Sequence, residues 1–319
     1  MINSNKSANL EKSSMLSDTP VVSIIIGNYN YERFVGQAID SVLKQTYQNI
    51  EVIVVDDGSK DKSREVISQY GDLIVPIFKE NGGQPSNYNA GFAQSTGEII
   101  CFLDSDDMFV PDKIEKVVKT FKSSEEIGWC FHSMQLIDED NNTLPITNTP
   151  NYVTRECDFR PLISAGRIPP HIPPCSGLCF RRSLLDKILP MPAPKIITNN
   201  DYYVKFMAVG LSKGFILSDA LTLQKIHSNN AATLRKDRQD QKARKFMYTA
   251  LWVKQKFPKF YKFANKLMAV GMGFQWQSGN KDSINEKTIN DYLFSISNRE
   301  KLNIYSRAIY YYFRSLIKV

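Results

Sequence analysis

Three short apolar runs, each stopping on a polar or acidic turn, restrict this chain more than any other feature. VVSIII (residues 21–26), IEVIVVDD (50–57) and EIICFLD (98–104) are rich in β-branched side chains. None alternates cleanly with polar residues. A strand with one wet face alternates, whereas an unbroken run reads as a strand covered on both faces. Between the runs lie segments with helical spacing. Phe34, Val35, Ala38, Ile39, Val42 and Leu43 form one apolar stripe. Residues 61–70 and 85–96 read as further helices and 73–78 as another strand. A helix opens near Pro111, with Ile114, Val117, Val118 and Phe121 on its apolar side. The β-α-β-α-β-α-β series predicts an α/β fold, a mostly parallel Rossmann-like sheet flanked by helices.

Sheets of that kind bind ligands outside the carboxyl ends of their strands. Gly27-Asn28-Tyr29-Asn30, Asp56-Asp57-Gly58-Ser59 and Asp104-Ser105-Asp106-Asp107 stand at three such ends. Carboxylates two apart after a strand, such as Asp104 and Asp106, can converge on a hard cation that also holds phosphate oxygens. The competing reading is that this acidic turn only caps the next helix.

The middle of the chain is less regular. WCFHSMQLID reads as a strand, SGLCFRRSLLDKI as a strand leading into a helix, and DYYVKFMAVG as a helix closing at Gly210. FILSDALTLQKIH gives one or two more strands. From Arg235 onward the character changes. That segment carries 18 Lys and Arg against 6 Asp and Glu, leaving 22 against 27 for the rest. Its pattern is helical and aromatic. Ile304, Tyr305, Ala308, Ile309, Tyr312, Phe313 and Leu316 fall on one side of a helix, with Arg307, Arg314 and Lys318 on the other. Such a basic extension suits an anionic partner, or it packs on the body of the protein or on a second subunit.

Other classes are disfavoured. With 42% hydrophobic and 23% charged residues the chain reads as globular. No run approaches the ~20 apolar residues of a membrane span, and the polar first 18 residues have no secretory core. The five cysteines, odd in number and without zinc spacing, read as reduced buried thiols. Acidic strand ends would repel a nucleic acid, and no nucleic-acid motif is present.

Taken together, VSIIIGNYN, VVDDGSKD, NGGQPSNYNAGFAQSTGEIICFLDSDD and TNNDYYVKFMAVG resemble the family 2 glycosyltransferases with the GT-A fold. The resemblance is strongest over residues 21–121 and continues to about 230. It implies an inverting transferase, and a role in surface polysaccharide synthesis. The sugar would move from a nucleotide-diphosphate donor to a hydroxyl of a glycan or lipid-linked acceptor. It implies a divalent cofactor (Mg²⁺ or Mn²⁺) at Asp104, Asp106 and His227. The donor would lie on Gly27, Tyr29, Asp56, Asp57 and Asp104, and Asp201 would be the catalytic base. The family's acidic pair here reads Asn200-Asp201, so an inactive nucleotide-sugar or polyanion-binding homologue stays open, and Asp201 as a plain helix cap stays open with it. Gly27 replaces the usual Pro, which should loosen the first turn. Tyr88 replaces an Arg, which leaves the donor sugar open. Arg181 and Arg182 either reach phosphate or pack.

The expected organisation is a disordered lead-in (1–18), a GT-A domain (19–232) and a basic helical extension (233–319). The domain divides into a donor half (19–125) and an acceptor half (126–232). A cytoplasmic location, peripheral membrane contact through 233–319 and homo-oligomer formation complete the expectations.

Overall fold

The computed structural model describes residues 16–145, 152–170, 172–194, 197, 200–228, 239–279 and 283–316. Residues 1–15 of the lead-in expected over 1–18, His171 in the proline-rich loop, Asn229, Asn230, the boundary at 232 and Lys318 lie outside these. Residues 16–18 are tied to the sheet, since Ser17 donates its backbone N–H and its hydroxyl to Glu98.

The donor half runs β1 (Val22–Asn28), α1 (Val35–Leu43), β2 (Ile50–Asp56), α2 (Ser63–Ser68), β3 (Val75–Phe78), α3 (Gln84–Gln94) and β4 (Ile99–Asp104). A short β5 (Met108–Phe109) and α4 (Lys113–Ser123) follow. The next stretch holds β6 (Ile127–Ile137), β7 (Arg155–Cys157), α5 (Arg160–Ser164), β8 (Leu178–Arg181), α6 (Arg182–Ile188), α7 (Tyr202–Leu211) and β9 (Lys213–Lys225). Four helices close the chain: α8 (Gln239–Lys256), α9 (Tyr261–Ser278), α10 (Ser283–Phe294) and α11 (Asn298–Leu316).

All the strands join one sheet in the order β3-β2-β1-β4-β8-β6-β9-β5, with β7 paired to β9. The first four are parallel, as their unbroken apolar runs require. Beyond β4 the pairing is mixed: β8 runs antiparallel to β4 and β6, while β6 and β9 are parallel. The direction of winding reverses between β1 and β4, so a crevice opens over their carboxyl ends.

Side chains on the central strands divide between two cores, as a period of two demands. Ile24, Ile26, Val52, Val54, Cys101 and Leu103 pack with α1 and α4. Ile25, Ile53, Val55, Ile100 and Phe102 belong to a larger core continuous through α7, α8, α9 and α11. The basic extension therefore buries much of its apolar surface against the body. Helix α9 is sandwiched. A Cβ on Gly271 would stand 2.5 Å from Met247 of α8, and one on Gly273 would stand 2.7 Å from Tyr311 of α11. Two residues apart on a helix are opposite sides, so each glycine lets a different neighbour come close.

Gly27 lies inside β1, paired with Val55 and Asp104, so no loosened turn forms there. All five cysteines are free and buried.

Candidate active site

The strand register sets the residues of the first two turns side by side. Asn28 pairs with Asp56, and Gly27 lies between Val55 and Asp104. The β1 and β2 turns are stitched together. Asn28 Nδ2 donates to Asp56 at 3.0 Å and to Ser59 Oγ at 3.2 Å, and the Asn30 N–H donates to Ser59 Oγ at 2.9 Å. Asp56 also accepts from the Ser59 N–H and from Arg64 Nε at 2.9 Å. Burial opposes its charge, but hydrogen bonds from Ser59, Arg64 and Asn28 outweigh burial and hold the carboxyl below its usual range. Asp57 ties the turn after β3 to β2, accepting from Gly82 N at 2.9 Å, Gly83 N at 2.7 Å and Lys79 Nζ. Gly58 and Gly83 both sit at φ +77°, which a side chain would resist. These two carboxylates are thus largely occupied within the protein, while Tyr29 stands exposed beside them.

Two acceptors nearby have no hydrogen-bond partner among the described residues: Asn28 Oδ1 and Asn87 Oδ1, both buried. The side chain of Asn87 lies against Gly27, 3.4 Å from where a Cβ would be.

Asp104 ends β4. Burial, with Asp106 and Asp201 close by, pushes its carboxyl up to about 7, against the opposing help of hydrogen bonds from Cys175 and Gln84. Tyr88 lies beneath. It stacks on Phe102 at 4.2 Å and donates to Cys175 Sγ at 2.8 Å. It is a buried support and no substitute for an arginine at the surface. Asp106 meets His227 Nε2 at 3.1 Å, and the imidazole is packed by Tyr31 and Phe34. Asp107 turns inward, accepting from Ser176 Oγ at 2.6 Å and from the Lys225 N–H at 3.1 Å. Burial, next to Asp106 and Asp104, lifts its carboxyl well above the usual range. None of this acidic turn caps α4, whose first residue lacks a side-chain cap.

Asp201 comes from the opposite wall, just before α7. Its side chain makes no cap hydrogen bond and is paired instead with Lys205 Nζ at 2.8 Å, one turn on. Asn200, standing where the family carries an acid, faces away. Its N–H donates to Gln84 Oε1 at 2.9 Å, and its amide exchanges hydrogen bonds with Thr249 of α8 at 3.1 and 3.2 Å. One turn before Thr249, Lys245 faces the same carboxylates. Burial holds its ammonium below the usual lysine range, while Asp201 and Asp104 pull the other way.

The structure thus brings Asp104, Asp106, Asp201 and His227 into one crevice, with Gly27, Tyr29, Asp56 and Asp57 along the adjoining edge. It leaves both arginines out. Arg181 is buried and donates to the carbonyls of Ile127, Phe121 and Ser124, and Arg182 donates to Gly97 O and Ser95 Oγ. Both therefore pack. Gln84 and Lys245 were missed. Gln84 had a signal, since it opens a helix after the Asn-Gly-Gly turn. Lys245 had none, being one of several lysines on a basic helix.

Fold and site together define an α/β crevice at the carboxyl ends of parallel strands. Residues 23–189, more than half of the chain, match the glycosyl transferase family 2 profile, and the chain belongs to that family. An uncharacterized glycosyltransferase of Nostoc sp. is 38% identical over 213 residues, which is 66% of each chain. One of Rickettsia typhi is 43% identical over 129 residues, or 40% of each chain. The matches thus span only part of these relatives' lengths. Among solved structures, Staphylococcus aureus TarS 1–349 in complex with UDP-GlcNAc superposes with a TM-score of 0.64 at 17% identity, covering 91% of this chain and 89% of that one. The fold is GT-A.

Proposed function

We propose that this chain moves a sugar from a nucleoside-diphosphate donor to a hydroxyl of a glycan or lipid-linked acceptor, with inversion. The observation that carries the reading is the meeting of Asp104, Asp106 and Asp201 in one crevice, where burial first, and then the neighbouring Asp106 and Asp201, raise the Asp104 carboxyl. Carboxylates gathered in this way, offset only in part by Lys205 at Asp201, are what a divalent cation suits. Among the described residues no three His, Cys, Asp or Glu side chains form a ready-made shell. A site of one or two carboxylates completed by water and phosphate oxygens is the habit of Mg²⁺. Asp104 and Asp106 would hold the ion, and the His227 Nε2 that meets Asp106 here would turn its lone pair to the ion as a further ligand. The bound ion supplies charge neutralisation for the diphosphate leaving group.

The nucleoside would lie over Gly27 and beside Tyr29. The orphaned carbonyls of Asn28 and Asn87 suit N–H or ribose O–H donors, and the braced Asp56 and Asp57 hold the two turns that form the pocket floor. TarS, which shares the fold, was solved with UDP-GlcNAc, in keeping with a donor of that class. Lys245, close enough to feel the charges of Asp201 and Asp104, would meet the diphosphate. Asp201 takes the proton of the attacking hydroxyl as the new C–O bond forms and the electron pair of the old bond leaves on the diphosphate. A role in surface polysaccharide synthesis fits such an acceptor.

The test is a binding and hydrolysis screen of nucleotide sugars with Mn²⁺, Mg²⁺ or chelator, on wild type and Asp106→Ala. One donor should bind in a metal-dependent way and be lost in Asp106→Ala. If no nucleotide sugar binds with metal present, the transferase reading fails.

A further inference from the structure

The C-terminal helix carries more apolar surface than its packing consumes. On α11, Ile304 and Ala308 are buried against α9, at the close approach that Gly273 allows. Leu302, Tyr305, Ile309 and Phe313 are 72, 42, 50 and 55% exposed. Their spacing of three, four and four residues places them on one continuous stripe, turned away from the buried face. Phe294, at the end of α10 just before, is 90% exposed. Scattered exposed apolar side chains are ordinary; an aligned row of this kind marks a contact surface.

The flank of the same helix is basic. Arg299, Arg307 and Arg314 fall within one third of a turn of each other. Arg299 and Arg307 line a cleft with Lys262 and Asn265 of α9, and with Asn303. The one acid at this cleft, Glu300, is occupied by Ser297 and Asn265. Among the described residues, none of these cations is paired with a carboxylate.

We propose that α11 is a membrane-docking face that settles on an anionic lipid surface. Its row of Leu, Tyr, Ile and Phe enters the interface, and the arginines meet lipid phosphates. Charge complementarity selects this occupant. A second copy of the chain docked about a two-fold axis would bring two basic flanks together, and this whole segment carries threefold more basic than acidic residues. No described helix is long and apolar enough to cross a bilayer, so the contact lies along the surface, with the helix in the interface plane. The proposal stands on α11 alone and holds whether or not the chain transfers a sugar.

The experiment is co-sedimentation of the full chain with phosphatidylcholine vesicles, with and without phosphatidylglycerol, at low and high salt. The chain should pellet with the anionic vesicles and be released by salt. Replacing Leu302, Ile309 and Phe313 together by Ser should abolish binding while the thermal melt is unchanged. Arg299→Gln with Arg307→Gln should weaken it about fivefold per charge. Equal or absent binding to both vesicle types would overturn the proposal. So would a dimer in light scattering that the triple substitution dissociates, because the face would then belong to a second copy.

Discussion

The edge of the sheet and the helical layer at the end of the chain build the same crevice by different means. At the edge, Asn28, Asp56, Asp57 and Ser59 hold one another through side-chain and backbone hydrogen bonds, and each is fixed by its place after a strand. The helical layer contributes through packing. Helix α8 lies where α9 lets it lie, and only then do Lys245 and Thr249 reach the carboxylates and Asn200. Polar contacts of the first kind are local and leave a motif. Those of the second kind depend on helix placement and leave none.

Substitutions can separate the two. The largest effect is expected at the wall they share. Asp201→Asn should lower the rate of transfer about 10²–10⁴-fold with donor binding retained, measured by product formation and by donor titration. At the edge, Asp56→Ala leaves Asn28, Ser59 and Arg64 without their acceptor and should cost about 3 kcal/mol in denaturant unfolding. Because the Asp56 carboxyl is held below its usual range, its stabilisation is complete at neutral pH and disappears as pH falls through the depressed value. The wild type should lose this part of its stability in acid, and Asp56→Ala should show a flatter acid limb.

In the helical layer, Gly271→Ala drives a methyl into Met247 and should cost about 1–3 kcal/mol. The comparison predicts that this substitution also weakens transfer, because it displaces α8, which carries Lys245 and Thr249. Full activity in a destabilised Gly271→Ala would break the link between packing and site. Thr249→Val removes the hydroxyl bonded to Asn200 and should cost ~1–2 kcal/mol, with a smaller loss of rate. The smallest effect is expected at Lys245→Met. It should reduce kcat/KM for the donor about tenfold (~1.4 kcal/mol) and leave the thermal midpoint unchanged or higher, since a half-buried ammonium is removed.

Much of the donor half was legible. The runs at 21–26, 50–57 and 98–104 became neighbouring parallel strands because apolar runs without alternation have few other places to go, although β1 continues through Gly27 to Asn28, where a turn was expected. Asp104 and Asp106 were nameable because they follow a strand, whereas Asp201 and His227 came only with the family resemblance. The saturation of Asp56 and Asp57 was not legible, since a sequence shows a carboxylate but not its donors. Nor was the fate of Arg181 and Arg182, whose guanidinium groups are satisfied by carbonyls from other elements. The mixed pairing around β6, β8 and β9 also escaped notice, as did the short β5 and β7. Two or three residues carry no periodicity, and antiparallel pairing within a buried sheet has the same composition as parallel pairing.

The sharing of one core between the sheet and the last helices has a consequence for how the protein is made. Tyr203 and Phe206 of α7 leave the ribosome well before the side chains that cover them, Trp252 of α8 and Phe263 of α9. At about 5–20 residues per second, the outer face of α7 waits several seconds without its cover. The nascent chain is therefore sticky for longer than its finished surface suggests, and its folding is completed from the end of the message.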